Sequence, residues 1–182
     1  MKNKTACYDI PCRDGSFVVL FATTKGDLSK KTLHFLLAQR EDDQLWEFLG
    51  GGFDLRDYDA KIAVTREAWE EAKIRLKPDK QVVYFAHMTQ KLPIQIFGEG
   101  QKGHVFYFLK ELPVRYLRKK FKVSDDHLDI RWHTLEDILR DGESVYKSAT
   151  LRVILRFLRY RDDGEFQFGI LREKFFFNGY EF

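Results

Sequence analysis

The fold of this chain is decided by residues 46–74, which read WEFLGGGFDLRDYDAKIAVTREAWEEAKI. The second part of the stretch predicts an α-helix from Asp59 to Lys73, because its alanines favour helix and the Asp59 carboxylate can accept hydrogen bonds from the free amides of the first turn. Three consecutive glycines, Gly50–Gly52, stand ahead of this helix. The stretch therefore predicts a glycine-containing loop followed by a helix.

The predicted helix carries three glutamates, Glu67, Glu70 and Glu71, at spacings i, i+3 and i+4. Side chains at these spacings lie on one helical face within about one turn, so the three carboxylates are expected to converge and to repel one another. A bound cation removes that repulsion, and hard oxygen ligands suit Mg²⁺ or Mn²⁺. The alternative from the residues alone is a solvated acidic face that Arg66 and Lys73 partly neutralise.

Strands and helices alternate on both sides of this stretch. Short runs at 17–21 and 32–37 predict a β-hairpin, and further strands are predicted at 81–88 and 104–109. Two more helices are predicted, one from Thr134 to Gly142 and one from 144 to 161. This alternation predicts an α/β (α+β) fold in which a mixed β-sheet lies between helices.

Length and composition exclude several classes of protein. The chain has 182 residues, a size that predicts one domain, and it has no apolar run near the roughly 18 residues that span a bilayer. The N-terminus has no apolar segment of the signal-peptide kind, which favours a cytoplasmic location and no membrane partner. The only cysteines, Cys7 and Cys12, fit neither a disulfide framework nor a zinc site. A net charge of +3 suits a polyanionic substrate without requiring one.

Residues 66–74, REAWEEAKI, resemble the second half of the sequence box of the Nudix hydrolase family. That half of the box reads Arg-Glu, an apolar residue, any residue, Glu-Glu, any residue, Gly and an apolar residue, and this chain departs from it only at Lys73, where the family has Gly. The lead-in at 46–52 is similar to the family's Trp-x-Phe-Pro-Gly-Gly, with Leu49 in place of Pro.

The first half of the box admits two alignments. Without a gap, Gly52 is the opening glycine and Tyr58 takes the place of the family's Glu. With one extra loop residue, Gly51 opens the box and Asp57 takes the Glu position. We favour the second alignment, because a loop tolerates an insertion and the acidic character is kept.

A second region, residues 124–139, resembles the acidic loop, Arg-Trp strand and Leu-Glu-Asp helix start that follow the box in many Nudix proteins. The resemblance covers most of residues 33–139. It implies a single Nudix hydrolase domain over residues 1–182, with a C-terminal extension at about 162–182. The aromatic end of that extension is compatible with either an added strand or a homodimer contact.

The resemblance also implies roles for the site residues. Glu67, Glu70 and Glu71 would ligate Mg²⁺ or Mn²⁺, and the backbone carbonyl of Gly51 would add an oxygen ligand. Arg66 would point off the carboxylate face and pair with Asp57 or Glu67. Glu70 is the first candidate for the general base, and the loop acids Asp125 and Asp126 are the next, Asp126 being the one we select as catalytic.

The predicted activity is metal-dependent hydrolysis of a phosphoanhydride bond in a nucleoside diphosphate linked to another moiety, so the expected partner is a nucleotide-derived small molecule. Two alternatives stay open: a decayed nucleotide- or RNA-binding module, and a pyrophosphohydrolase that decaps RNA ends. The basic stretches at 115–122 and 152–159 favour a solvated face over a nucleic-acid site, since no stacking motif accompanies them. The histidines lie apart along the chain, which disfavours zinc, and the three tryptophans are predicted to pack in the core or in loops.

Overall fold

The computed structural model describes residues 14–24, 32–54, 56–91 and 102–162. The strands are β1 (Gly15–Thr23), β2 (Leu33–Arg40), β3 (Trp46–Glu47), β4 (Leu49–Gly52), β5 (Val83–Lys91), β6 (Lys102–Glu111) and β7 (His127–Thr134). The helices are α1 (Ala60–Ala72), α2 (Pro78–Gln81), α3 (Leu135–Asp141) and α4 (Ser148–Asp162), and short 3-10 turns cover Val114–Arg118 and Gly142–Ser144.

Within the described residues, seven strands form one mixed sheet, with the order β3-β2-β1-β6-β5 along its main path. Strand β1 runs parallel to β6 and antiparallel to β2, and β5 and β6 are antiparallel neighbours. Strand β4 pairs with the first half of β1, and β7 pairs with the outer edge of β2. The start of β1 therefore lies between the glycine strand β4 and strand β6.

Helices cover both faces of the sheet, as the sequence predicted. Because successive side chains of a strand point to opposite faces, Val18 and Leu20 of β1 pack with α1, whereas Val19 and Phe21 pack with α3 and α4. The buried face of α1 consists of Ala63, Val64, Ala68, Glu71 and Ala72. The α/β (α+β) sandwich is confirmed, and it places the acidic helix against the strand that pairs with the glycines.

Helix α1 begins and ends close to the predicted residues. The Asp59 carboxylate accepts a hydrogen bond from the Ile62 amide at 2.8 Å, which caps the helix. At the other end, Lys73 has a left-handed backbone, with φ 54°, and its amide donates to the carbonyls of Ala68 and Trp69. The position where the family has Gly thus keeps the glycine-like conformation despite the Lys side chain.

Helix α4 begins at Ser148, four residues after its predicted start at 144. Gly142–Ser144 form a 3-10 turn, and Tyr146 makes a β-bridge to Trp46, so the chain is held in other conformations before the helix begins. Helix α3 agrees with its prediction, with Thr134 as the N-cap and Gly142 as the C-cap. The C-terminal segments at 165–171 and 175–177 lie outside the described residues.

None of the helices in the described residues combines the length and the apolar character that crossing a membrane requires.

His133 on β7 is a buried histidine that should make the fold sensitive to acid. Its Nδ1 lies 2.9 Å from the Tyr146 hydroxyl, and its Nε2 has no hydrogen-bond partner among the described residues. Burial, helped by the charge of Arg131, lowers the pKa of His133 to about 4. In the unfolded chain His133 therefore takes up a proton near pH 6.5, whereas in the folded chain it takes one up only near pH 4.

We expect this histidine to remove about 3 kcal/mol of folding stability as the pH falls from 6.5 to 4. His133→Gln keeps a polar side chain that cannot ionise, so its free energy of unfolding should fall less over this range. Urea unfolding at several pH values measures the difference. His34→Gln, on β2, serves as the control, and equal pH slopes for His133→Gln and wild type would contradict the assignment.

Candidate active site

The glycine strand β4 lies directly beneath the acidic helix. Gly50 has φ +150°, and a Cβ atom there would lie 2.2 Å from the Ser16 carbonyl oxygen, so only glycine fits. A Cβ atom on Gly51 would lie 2.8 Å from Glu67 Oε1. Because Gly50 has no side chain, β1 can lie close to β4. Because Gly51 has none, the Glu67 carboxylate of α1 can lie close to the same strand.

Glu71 is a buried carboxylate, which excludes the alternative of a fully solvated acidic face. Its Oε2 accepts a hydrogen bond from the Gly50 amide at 2.9 Å, and its Oε1 lies 3.5 Å from His127 Nε2. Burial, together with the nearby charge of Glu67, raises the pKa of Glu71 well above its usual range. The site therefore holds this acid where its ionised form is penalised unless a cation is present.

Arg66 binds the acidic residues of the site together. Its guanidinium lies 2.7 Å from Asp57, 2.8 Å from Glu67 and 2.9 Å from Glu70, and it donates to the Gly52 carbonyl at 3.1 Å. Asp57 and Glu67, the two predicted partners of Arg66, both pair with it. The prediction that Arg66 points off the carboxylate face is wrong, because it also contacts Glu70. These hydrogen bonds, with desolvation opposing them, hold the pKa of Arg66 above its usual value.

The structure brings Asp57, and not Tyr58, into the site. The Asp57 side chain is 1% exposed and accepts hydrogen bonds from Arg66 Nε and Nη2 and from the Asp54 amide. Tyr58 is 84% exposed. This geometry favours the alignment with one extra loop residue, in which Asp57 stands at the acidic position of the box.

The exposed edge of α1 carries Glu70 and Trp69. The Glu70 side chain is 50% exposed and pairs with Arg66. Trp69 is 40% exposed, with Lys73 Nζ 5.4 Å and the Arg75 guanidinium 4.7 Å from its ring. The prediction that the tryptophans pack in the core or in loops is wrong for Trp69, which lies on the helix surface, whereas Trp46 is buried in the core. Of the three glutamates, Glu70 is the most exposed to solvent.

The acidic loop before β7 reaches the site through a histidine. Asp125 and Asp126 are exposed, and the Asp126 carbonyl accepts a hydrogen bond from the Glu41 amide at 3.4 Å. His127 is buried instead, and its Nδ1 lies 2.8 Å from the Ser124 hydroxyl while its Nε2 faces Glu71. Sequence reasoning missed His127 because only the pairing of β7 with β2 turns it toward α1.

A divalent metal ion fits this site in the chemistry of its donors. The Glu67 carboxylate lies against Gly51, the Glu71 carboxylate accepts a hydrogen bond from the Gly50 amide, and hard oxygen donors are those that Mg²⁺ and Mn²⁺ prefer. In the described part of the chain, however, no three acidic, histidine or cysteine side chains surround a common point. Arg66 engages both Glu67 and Glu70, so these two carboxylates must turn from Arg66 to share an ion with Glu71.

A family model described as a NUDIX domain matches residues 13–153. A search of curated proteins gave no match.

Solved structures share the fold at low sequence identity. A Caenorhabditis elegans Ap4A hydrolase binary complex is 22% identical, with a TM-score of 0.58, over 82% of this chain and 98% of that chain. The Escherichia coli dihydroneopterin triphosphate pyrophosphohydrolase is 19% identical, with a TM-score of 0.60, over 81% and 95% of the two chains. The NUDIX domain of Shewanella oneidensis NrtR complexed with ADP ribose is 17% identical, with a TM-score of 0.59, over 83% and 88%.

Proposed function

Since this chain belongs to the Nudix hydrolase family, we propose that it hydrolyses a phosphoanhydride bond in a nucleoside diphosphate linked to another moiety, with Mg²⁺ or Mn²⁺ held by Glu67, Glu70 and Glu71. One observation carries the proposal: the glycine strand closes on the acidic helix, with the Gly50 amide on Glu71 and Gly51 against Glu67. The metal ion supplies neutralisation of phosphate charge and a water of lowered pKa.

The residues of the chain divide the remaining tasks. Glu71 is fixed by the Gly50 amide, so it is suited to holding an ion in one place. Glu70 is half exposed, and once it turns from Arg66 it can accept the proton of the attacking water as the general base. Arg66 keeps its bonds to Asp57 and Gly52, which hold the loop against the helix.

Three of the structural relatives support a diphosphate-containing substrate. Their names mention Ap4A, dihydroneopterin triphosphate and ADP ribose, and each of these molecules contains a phosphoanhydride linkage. The common element is the linked phosphates, which the acidic helix and its cation would engage. We therefore place the substrate of this chain among nucleotide-derived diphosphates and polyphosphates.

A panel of such compounds tests the proposal. The full chain is incubated with Mg²⁺ or Mn²⁺ and ADP-ribose, dinucleoside polyphosphates, coenzyme A derivatives or nucleoside triphosphates, and the products are separated by chromatography. We expect at least one compound to yield a nucleoside monophosphate or a phosphorylated fragment. Chelation of the metal should stop the reaction, and a panel without any product would contradict the proposal.

A nucleotide-binding module without turnover is the second candidate function. The ion pairs from Arg66 to Glu67 and Glu70 favour it, because they occupy the carboxylates that a metal ion needs. Binding of nucleotides without metal-dependent product release would support this candidate.

The buried contact between Asp57 and Arg66 leads to a test of the box alignment. Asp57→Ala removes the acid that fixes Arg66, so we expect activity to fall by at least about tenfold and stability by about 2 kcal/mol. Tyr58→Phe changes an exposed side chain and should alter stability by less than about 0.5 kcal/mol. The rates and melting temperatures of both variants distinguish the two alignments. A larger loss of activity in Tyr58→Phe than in Asp57→Ala would favour the alignment without a gap.

The contact between His127 and Glu71 predicts that His127 positions this carboxylate. His127→Leu removes the polar contact and should lower kcat by about 10- to 100-fold. His127→Gln keeps a polar side chain that can face Glu71 and should recover most of that loss. Steady-state kinetics of the two variants, with thermal unfolding to check the fold, measure the effect. Equal kcat values in His127→Leu and wild type would show that Glu71 needs no such support.

A further inference from the structure

Four aromatic rings form a row on the part of the sheet next to the glycine strand. Neighbouring rings are nearly parallel: the planes differ by 29° for Phe53 and Phe106, 25° for Phe106 and His87, and 17° for His87 and His104. Their centroids are 6.2, 5.1 and 5.0 Å apart. We call these four residues the aromatic row.

The two histidines at the end of the row lie edge to edge. His87 Nε2 and His104 Nδ1 are 2.8 Å apart, which is a hydrogen bond between ring edges, while the ring centroids are 5.0 Å apart. The imidazoles therefore extend one surface in nearly one plane instead of covering each other's faces. The backbone amide of His104 donates to the Asp14 carboxylate at 2.8 Å, which fixes this end of the row to the start of β1.

The row begins beside the candidate active site. Phe53 directly follows Gly52, whose carbonyl accepts a hydrogen bond from Arg66. Phe106 packs against the core on the α1 side of the sheet, so the row and the acidic helix share one face. A molecule lying along this face meets the rings at one end and the carboxylates at the other.

The row is not ordinary core packing. His104 is exposed, and the other three rings are only half-buried. Burial and the neighbouring His104 lower the pKa of His87, so a neutral imidazole faces any molecule that stacks on it. Parallel and partly exposed rings are suited to stacking with a planar heterocycle, since every such ring system has a π-face.

We propose that the aromatic row binds the heterocyclic base of the nucleotide substrate. The inference rests on the proposed function, and it adds the place of the base relative to the scissile phosphates. The base stacks on the shared plane of His87 and His104, beside Phe106, and the phosphates extend past Phe53 toward Gly51 and Glu67. Recognition by stacking predicts that several different bases bind, with a preference for the larger purine rings.

Titration of the full chain with AMP and with ribose 5-phosphate, in metal-free buffer, tests this inference. The ring protons of His87 and His104 are followed by NMR, and dissociation constants come from the same titrations. We expect AMP to shift these protons through its ring current, and ribose 5-phosphate to bind more weakly without such shifts. Phe106→Leu and the exposed variant His104→Gln should each weaken AMP binding by about 5- to 10-fold and leave ribose 5-phosphate binding unchanged.

The matched control is Trp69→Leu, which removes an exposed aromatic ring of α1 outside the row and should bind AMP like wild type. Equal affinity for AMP and ribose 5-phosphate, unshifted histidine protons at millimolar AMP, or unchanged AMP affinity in both row variants would overturn the inference. Because these measurements need no turnover, stacking of AMP without hydrolysis of any diphosphate keeps the row and rejects the hydrolase. Hydrolysis of a diphosphate with unchanged kcat/KM in the row variants would support the hydrolase and reject the aromatic row as the base-binding site.

Discussion

Glu71→Gln is expected to lower the rate of phosphoanhydride hydrolysis by at least about a hundredfold without unfolding the chain. The substitution removes the charge that would hold the metal ion and keeps an oxygen that can accept the Gly50 amide. Glu70→Gln should cause a loss of similar size through removal of the proposed general base. Kinetics at saturating Mg²⁺ measure both effects.

The same variant should be at least as stable as wild type at neutral pH in the absence of metal. The pKa of Glu71 is raised in the folded chain, so the folded state holds its proton at pH values where the unfolded state has released it. Stability from this group is complete below about pH 4.3 and is lost as the pH rises through the folded pKa. Gln cannot ionise, so the stability of Glu71→Gln should not fall as the pH rises through this pKa.

Glu136→Gln provides the matched control, because Glu136 is an exposed glutamate of α3 away from the site. It should leave both the rate and the melting temperature unchanged. If Glu71→Gln keeps near wild-type kcat at saturating Mg²⁺, then Glu71 is not a metal ligand. A melting temperature that falls sharply at pH 8 would instead show that the ionised carboxylate stabilises the fold.

Gly50→Ala should cause the largest loss of stability of any single methyl addition proposed for this chain, at least about 3 kcal/mol. The added Cβ would lie 2.2 Å from the Ser16 carbonyl oxygen and 2.6 Å from Phe17 Cα, both of which are backbone atoms that side-chain rotation cannot move. Strands β1 and β4 must separate, and the Gly50 amide then leaves Glu71. Activity should therefore fall together with stability.

Gly142→Ala serves as a comparison for Gly50→Ala, because it introduces an unfavourable φ without a steric clash. Gly142 also has a positive φ, +56°, but among the described residues no heavy atom lies within 4 Å of the place that an added methyl group would take. We expect a loss of about 1–2 kcal/mol, from the unfavourable φ alone. Chemical denaturation of the two variants compares them directly. Equal losses would mean that β1 and β4 tolerate the added methyl group.

The parts of the fold that the sequence predicts are those with local causes. The start of α1 depends on the Asp59 cap, which is visible in the order of residues, whereas the left-handed turn at Lys73 is indicated only by the family's box, which has Gly there. The choice of Asp57 over Tyr58 also follows from chemistry, because only an acid pairs with Arg66. The sandwich follows from alternating runs of strand and helix.

The parts that the sequence does not predict depend on pairing across the sheet. His87 and His104 stand 17 positions apart in the chain, and only the register of β5 and β6 brings their rings together. His127 reaches Glu71 because β7 pairs with β2. The direction of Arg66 was also missed, since helical spacing fixes where a side chain starts and not which of several acids it contacts.

Metal dependence of the acidic helix is tested by the rate at which the best diphosphate substrate is hydrolysed. This rate is measured as a function of Mg²⁺ concentration for wild type and Glu71→Gln under the same conditions. We predict that wild type shows no hydrolysis after chelation and a saturable rise as Mg²⁺ is added. Glu71→Gln should need far more Mg²⁺ or stay inactive. Wild-type hydrolysis that is independent of Mg²⁺ and Mn²⁺, or equal metal dependence in the two proteins, would contradict the claim that the acidic helix and its glycine strand form a metal-dependent active site.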